Sequence, residues 1–428
     1  MKYVIVIGDG MADTRLTKLA GKTPMEALAL NSFDRCAGCS CGRVLTVPRG
    51  LPAGSDTAIL SIFGYSPKTY YTGRSVLEAA GMGVEVPQGS ISFRVNLCAV
   101  VPNEEGKLVI HSHNGGNIHG AEATTLMNDL IADPRFAALM QESGLAITVT
   151  DTFRHIGVMK SDALDLGAVR LTEPHNVLAQ EIQPHLPHME RETDDEAAKK
   201  MCADIEKLML LSYEILKDHP VNQKRIGEGK LPANMIWPWG AATAMNLPDF
   251  RETFGHHGTV VSAVPLVWGI ANLAGLKVAH VEGANGDIDT NYEGKVQAAL
   301  DALASGDDFA VVHVEAPDEM AHAGDLGRKL EAIQNVEYRV VMPILNQLMG
   351  RGEEFRLLLL SDHPTLLTTR THSGLPVPWA IYDSRWARKY ISEGKKPPVR
   401  KFCEDTMLVE PVIMEGTELI KVLFEQIK

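Results

Sequence analysis

The sequence predicts an α/β fold: a doubly wound, mostly parallel sheet with helices on both faces, interrupted by an inserted α+β domain. Three observations predict it. Residues 3–7, 309–314 and 355–360 are short, continuously apolar runs, the pattern of strands covered on both faces. Each is followed by a polar loop and then a stretch of helical length, the strand–loop–helix order of parallel sheets. The middle of the chain alternates instead (Ile91, Phe93, Val95, Leu97), as half-exposed strands do.

The elements follow in order. Strand 3–7 ends in the turn Gly8-Asp9-Gly10. A helix is expected over 23–30 and a strand over 42–47. The breaker-rich loop from Pro48 to Gly54 comes next. Ser55-Asp56 then opens a helix through Ile59, Leu60 and Phe63. Strands are expected at 90–101, 108–111, 146–149 and 153–159, with helices at 121–131 and 194–216. Strand 309–314 runs into Glu315-Ala-Pro-Asp318, a long helix covers about 326–349, and strand 355–360 runs into Ser361-Asp362-His363. The domains expected are 1–84 plus 236–428 for the α/β part and 85–235 for the insertion.

Composition narrows the function. With 428 residues, 45% hydrophobic and 22% charged, the chain can bury a core without disulfides. A net charge of −13 argues against nucleic acid, which needs clustered Lys and Arg. No run approaches the ~20 apolar residues of a membrane span, and the opening apolar run is too short for a secretory leader; the expectation is a cytoplasmic protein. Six Cys, three of them crowded at Cys36, Cys39 and Cys41, lack the second pair of a zinc knuckle and read as reduced thiols.

Ligands in an open parallel sheet sit beyond the carboxyl ends of its strands. Asp9, Asp318 and Asp362 each stand at such an end. Asp318 and His322, at i and i+4, share one face of a helical turn. His363 adjoins Asp362, and His372 lies in a turn shortly downstream. Carboxylates and imidazoles gathered at one point are what two phosphoryl-polarising cations need. Alone, each signal also reads as a turn, cap or structural residue, and Ser55 reads as a helix cap ahead of a nucleophile.

Seven motifs tie these signals together: Gly8-Asp-Gly-Met-Ala-Asp13, Gly54-Ser-Asp-Thr57, Leu60-Ser-Ile-Phe-Gly-Tyr65, Thr72-Gly-Arg74, Asp289-Thr-Asn-Tyr-Glu-Gly-Lys295, Asp318-Glu-Met-Ala-His322 and Asp362-His363. Through them the chain resembles the archaeal-type cofactor-independent (2,3-bisphosphoglycerate-independent) phosphoglycerate mutases of the alkaline-phosphatase superfamily. The resemblance implies an alkaline-phosphatase-like sheet and a glycolytic isomerase acting on a small phosphorylated metabolite, interconverting 2- and 3-phosphoglycerate. It implies two divalent metal ions, usually manganese, otherwise zinc, magnesium or cobalt, and no 2,3-bisphosphoglycerate. One ion would take Asp318, His322 and His372, and the other Asp9, Ser55, Asp362 and His363. Ser55 would be the nucleophile, carrying a phosphoserine intermediate under a lid formed by the inserted domain.

A phosphoglycerate also needs Arg for its carboxylate and phosphate. The family's arginine-bearing stretch corresponds here to His111-Ser-His-Asn-Gly-Gly-Asn-Ile-His119, which has none. Arg74, Arg94, Arg154 with His155, and Lys295 remain as substrate-binding candidates, each also readable as a surface residue. The segments Ala233-Asn-Met-Ile-Trp-Pro-Trp-Gly240 and Val312-His-Val-Glu-Ala-Pro-Asp-Glu319 resemble a bacterial branch proposed to act as a homoserine kinase. An intermolecular phosphotransferase of that kind is therefore the alternative, with a phosphohydrolase third. The sulfatase nucleophile pattern, Cys/Ser-x-Pro-x-Arg, is not met at Ser55-Asp-Thr-Ala58.

Overall fold

The computed structural model describes residues 1–161 and 165–426. The chain divides into two compact units, Met1–Tyr71 with Asn246–Lys428, and Thr72–Met245. The division falls outside the expected borders at 84/85 and 235/236. Residues 72–84 and 236–245 pack in the second unit, because the helix Arg74–Gly81 and the strand Met235–Thr243 both lie against the strand Ser90–Pro102.

The first unit is built on an eight-stranded sheet in the order Lys277–Ala279, Gly258–Val261, Phe309–Val314, Lys2–Gly8, Phe355–Leu360, Val377–Asp383, Ser40–Val44, Val412–Ile413. Val377–Asp383 runs against both neighbours, and the other pairings are parallel. The central strands are apolar on both faces and fully buried, as Ile5, Val6, Val311, Val312, Leu358 and Leu359 show. Their register matters most. Gly8 stands opposite Val314, and Ile7 opposite both His313 and Leu360. The three central strands therefore end level, and the residues that follow them are delivered to one point.

Local chemistry explains where the sequence reading needed correction. Residues 23–30 form no continuous helix. Thr23 caps a short helix, Pro24–Ala27, by accepting from Glu26 N at 3.2 Å. Leu28 is extended, and a second helix begins at Asn31. The strand expected at 42–47 is Ser40–Val44. The helix expected over 326–349 is present from Leu326 to Gly350, with a widened π turn at Val336–Val341 just before Pro343, which cannot donate to the preceding turn. That turn places the buried Glu337 carboxylate on the N–H groups of Ser32 and Phe33, at 2.7 and 3.1 Å, the orphan donors of a helix start.

The second unit carries a five-stranded antiparallel sheet around Ser90–Pro102, with the helices Ala121–Ala132, Pro134–Ser143 and Glu196–Leu216. Leu97, Leu126, Leu130, Phe136, Leu208 and Trp237 meet in its core. The Trp-Pro-Trp segment lies in the strand Met235–Thr243. It pairs only with Ser90–Pro102 among the described strands, so Pro238, which has no N–H, sits on an edge where none is needed. All six cysteines are free thiols.

Candidate active site

Asp9 follows the first strand, its N–H donating to Val314 O at 2.9 Å. Asp362 follows Phe355–Leu360 by way of Ser361, and its Oδ1 accepts from Gly10 N (3.1 Å) and His363 N (2.8 Å). Gly10 has φ +60, and a Cβ there would lie 2.5 Å from Asp318 Oδ1 and 2.8 Å from Asp318 Cα. Glycine is required on both counts. Asp318 and His322 ride the first helix after Phe309–Val314, Ala316–Ala323, as the i,i+4 spacing predicts, with Nε2 of His322 3.2 Å from Asp318 Oδ2. His372 is brought back by a hairpin that pairs it with Thr365.

The result is two adjoining clusters. Asp9, Asp362 and His363 form one and Asp318, His322 and His372 the other, with the donor atoms of each set within 4.8 Å of one another. The rings of His363 and His372 are 4.2 Å apart. Ser55 is the first residue of the helix Ser55–Ile62, and its hydroxyl makes no capping bond. Its Oγ instead lies 3.2 Å from Asp9 Oδ2 and 3.2 Å from His363 Nε2. The cap reading of Ser55 is corrected: Gly54 holds the cap position.

Several features fit this donor set to cations. Nδ1 of His322 meets Arg370 O at 2.9 Å and Nδ1 of His372 meets Ala53 O at 3.1 Å. A carbonyl only accepts, so both Nδ1 atoms carry a proton and both Nε2 atoms, the ones left to bind a cation, face inward. Those two Nε2 atoms stand 2.9 Å apart, close enough to share a proton or a cation. Asp9 Oδ1 and Asp362 Oδ2 are buried and make no hydrogen bond among the described residues.

Electrostatics say the same. Burial pushes the Asp9 carboxyl well above the usual carboxylate range, and the charges of Asp362 and Asp318 push it further. Burial also acts to raise Asp318, but the contacts with His322 and His372 outweigh it and hold the carboxyl below the ordinary range. The bond to Asp318 lifts His322 to about 9. A divalent cation would replace these protons and favour the ionised carboxylates.

His313 was not singled out as a site residue. It is fully buried in the strand Phe309–Val314, with Nε2 3.0 Å from Asp9 Oδ2 and Nδ1 3.1 Å from Ser262 Oγ. Burial lowers it to about 4, so the ring is neutral. A histidine inside a run of Phe, Ala and Val was the available signal. Lys295 is not the surface lysine of a helix start. It is fully buried, donates to His313 O at 3.1 Å, and is pushed down to about 8 by its burial.

The second unit gathers the arginines. Arg94 donates to Glu78 through Nε at 2.9 Å and again through its terminal nitrogen, and Arg74 donates to the same carboxylate at 3.2 Å. Arg94 stacks over Trp239 with its guanidinium 4.7 Å from the ring centre, and Arg154 lies 5.3 Å from Phe153 and 5.8 Å from Trp239. Arg154 Nε is buried without a hydrogen-bond partner among the described residues. His113 and His175 adjoin, at 6.1 Å between ring centres. His155 does not join them. It pairs with Val95, while Arg154 pairs with Asn96 on the other face of the sheet; it is fully buried, and burial lowers it to about 4. Glu78 and His175 were missed because nothing local marks them, and His113 and Trp239 entered only as parts of longer segments.

Comparison with known proteins bears on the whole arrangement. Residues 37–222 match the family model of 2,3-bisphosphoglycerate-independent phosphoglycerate mutase. A probable mutase of that name from Geobacter sulfurreducens is 42% identical over 89% of this chain and 90% of its own. The chain belongs to this family. The mutase of Methanosarcina barkeri is 40% identical over 92% of this chain and 95% of its own. Among solved structures, a Pyrococcus horikoshii protein matches with a TM-score of 0.74 at 26% identity, covering 99% of this chain and 96% of that one. The cofactor-independent phosphoglycerate mutase of Thermoplasma acidophilum shares the fold, with a TM-score of 0.64 at 23% identity and full coverage of both chains (100% and 100%). Among the described residues, no helix is long and apolar enough to cross a membrane.

Proposed function

We propose that this chain interconverts 2-phosphoglycerate and 3-phosphoglycerate through a phosphoserine at Ser55. Its family membership supports the substrate. One observation supports the mechanism: Ser55 Oγ lies 3.2 Å from both Asp9 Oδ2 and His363 Nε2, at a helix N-terminus where N–H groups favour a phosphoryl anion.

Asp318, His322 and His372 would hold one divalent cation, and Asp9, Ser55, Asp362 and His363 another. Carboxylate and imidazole donors suit manganese, which we propose, and also zinc, magnesium or cobalt. Bound there, the cations supply Lewis-acid polarisation of the phosphoryl oxygens and a lowered pKa at the serine hydroxyl.

Ser55 Oγ attacks phosphorus as the bond from phosphorus to the substrate oxygen breaks; the serine proton leaves by way of Asp9 Oδ2 and the departing oxygen takes up one proton to become a hydroxyl. Glycerate is retained and presents its other hydroxyl, which takes the group back and frees Ser55. The second unit, roughly the expected insertion, is proposed as the substrate domain that excludes water from the intermediate. Arg74, Arg94 and Arg154 supply the cationic surface that a carboxylate and a phosphate require, and their gathering around one Glu78 leaves excess positive charge. Lys295 braces the strand carrying His313 rather than reaching for substrate.

The test is to incubate manganese-loaded protein with 3-phosphoglycerate and follow 2-phosphoglycerate, with Ser55→Ala as control. Turnover lost in the variant is expected. No turnover by the wild type with metal bound would sink the reading, and homoserine with a panel of phosphoryl donors would then be tried. The relatives do not favour that alternative.

A further inference from the structure

We infer that His313 is a positioning residue for the metal centre: it takes one oxygen of Asp9 so that the other is presented to a cation. The inference rests on the proposal that Asp9 is a metal ligand. It concerns a side chain that would not itself touch metal or substrate.

The tautomer follows from the network. Ser262 Oγ already accepts from Val264 N at 3.1 Å. Its own proton is therefore free to go to His313 Nδ1, 3.1 Å away. With Nδ1 so occupied, Nε2 carries the ring proton, and that nitrogen faces Asp9 Oδ2 at 3.0 Å. The chain Val264 N–H, Ser262 O–H, His313 Nε2–H, Asp9 runs in one direction, with each group satisfied. Asp9 Oδ2 is then taken up by His313 and by Ser55 Oγ at 3.2 Å. Asp9 Oδ1 is the atom left buried with no hydrogen bond among the described residues.

The backbone fixes the geometry. His313 is opposite Ile7 in a register running from Tyr3 to Gly8, and Lys295 Nζ donates to its carbonyl at 3.1 Å. The ring cannot swing away in a strand buried on both faces. A ligand carboxylate with one oxygen tied by a fixed donor loses a rotation it would otherwise lose on binding, so the donor strengthens the site.

Asparagine and glutamine separate the two ring nitrogens. Gln places an amide N–H near the position of Nε2, and Asn places one near Nδ1, short of Asp9. Manganese is titrated into chelator-stripped full-length wild type, His313→Gln, His313→Asn, Ser262→Ala and Asp9→Asn, reading the affinity of each of the two ions. We expect Asp9→Asn to abolish one ion. His313→Asn should weaken that same ion about 10- to 100-fold, His313→Gln should stay within a few-fold of wild type, and Ser262→Ala should fall between. Unchanged affinity for the other ion reports an intact fold, and Ser262→Ala still tests the chain if His313→Asn does not fold. Equal affinities for the Gln and Asn variants, whether both normal or both weak, overturn the inference. If Asp9→Asn keeps both ions at wild-type affinity, the ligand assignment fails instead, and the inference with it.

Discussion

The two charged centres of this molecule are built in opposite ways. In the first unit, residues 9, 55, 318, 322, 362, 363 and 372 meet because parallel strands end level and hand their loops to one edge. In the second, residues 74, 78, 94 and 154 meet because antiparallel neighbours put them on one face in mid-strand or on the helix packed against it. The loop-built centre is an excess of acceptors: two carboxylate oxygens have no hydrogen bond among the described residues and two imidazole Nε2 atoms face each other. The face-built centre is an excess of donors that share one carboxylate. The first is short of cations and the second of anions.

The largest expected effect tests the first centre. Ser55→Ala should reduce mutase turnover by on the order of 10⁴-fold or more, with the melting temperature of the metal-free protein nearly unchanged. Initial rates and a thermal melt check it; substantial residual turnover would mean another nucleophile.

Next come the arginines, which should separate. Arg154 stacks on aromatics and leaves a donor free, so Arg154→Gln should raise KM for 3-phosphoglycerate about 10- to 100-fold, the worth of one to two charge-assisted hydrogen bonds, with both metal affinities unchanged. Arg94 is 8% exposed and bonded twice to the buried Glu78. Arg94→Ala should therefore cost about 3–5 kcal/mol of stability, read in denaturant. If Arg154→Gln destabilises and Arg94→Ala does not, the roles are reversed.

Metal removal should show first as lost activity, restored by manganese, and then as lost stability, about 2.7 kcal/mol where the free ion had stood at 100 times its Kd. The smallest effect is on pH. His322 is raised from 6.5 to about 9 by Asp318. A raised histidine contributes stability that is complete below pH 6.5 and is lost as pH rises through 9. Chelated protein should therefore weaken over that window, His322→Asn should flatten the trend, and bound metal, which requires the unprotonated ring, should remove it. A chelated wild type that gains stability from pH 6.5 to 9 would contradict the pairing.

Much of the site was legible because its parts are local. Asp9, Asp318 and Asp362 follow apolar runs that can only be covered strands, and Asp318 with His322 has helical spacing. Ser55 was legible as a helix start but not as a nucleophile, because the same residue type caps helices; the resemblance decided it, and the structure moved the cap to Gly54. Arg154 and His155 looked like a pair in the chain and are on opposite faces of a strand, a consequence of the two-residue period. Residues 23–30 misled because Leu28 leaves helical geometry without a glycine or proline to announce it.

By itself, the sequence determined the strand ends, the helix spacings and the ligand types, since hydrophobic runs, turn residues and side-chain chemistry act over a few positions. Only the tertiary structure decided which partners these residues keep. That Asp9 lies against His313, 304 residues away in the chain, that His372 returns to Asp318, and that Lys295 is buried depend on strand order and register. Those contacts follow from the free energy of packing the whole sheet, which no local window of sequence contains.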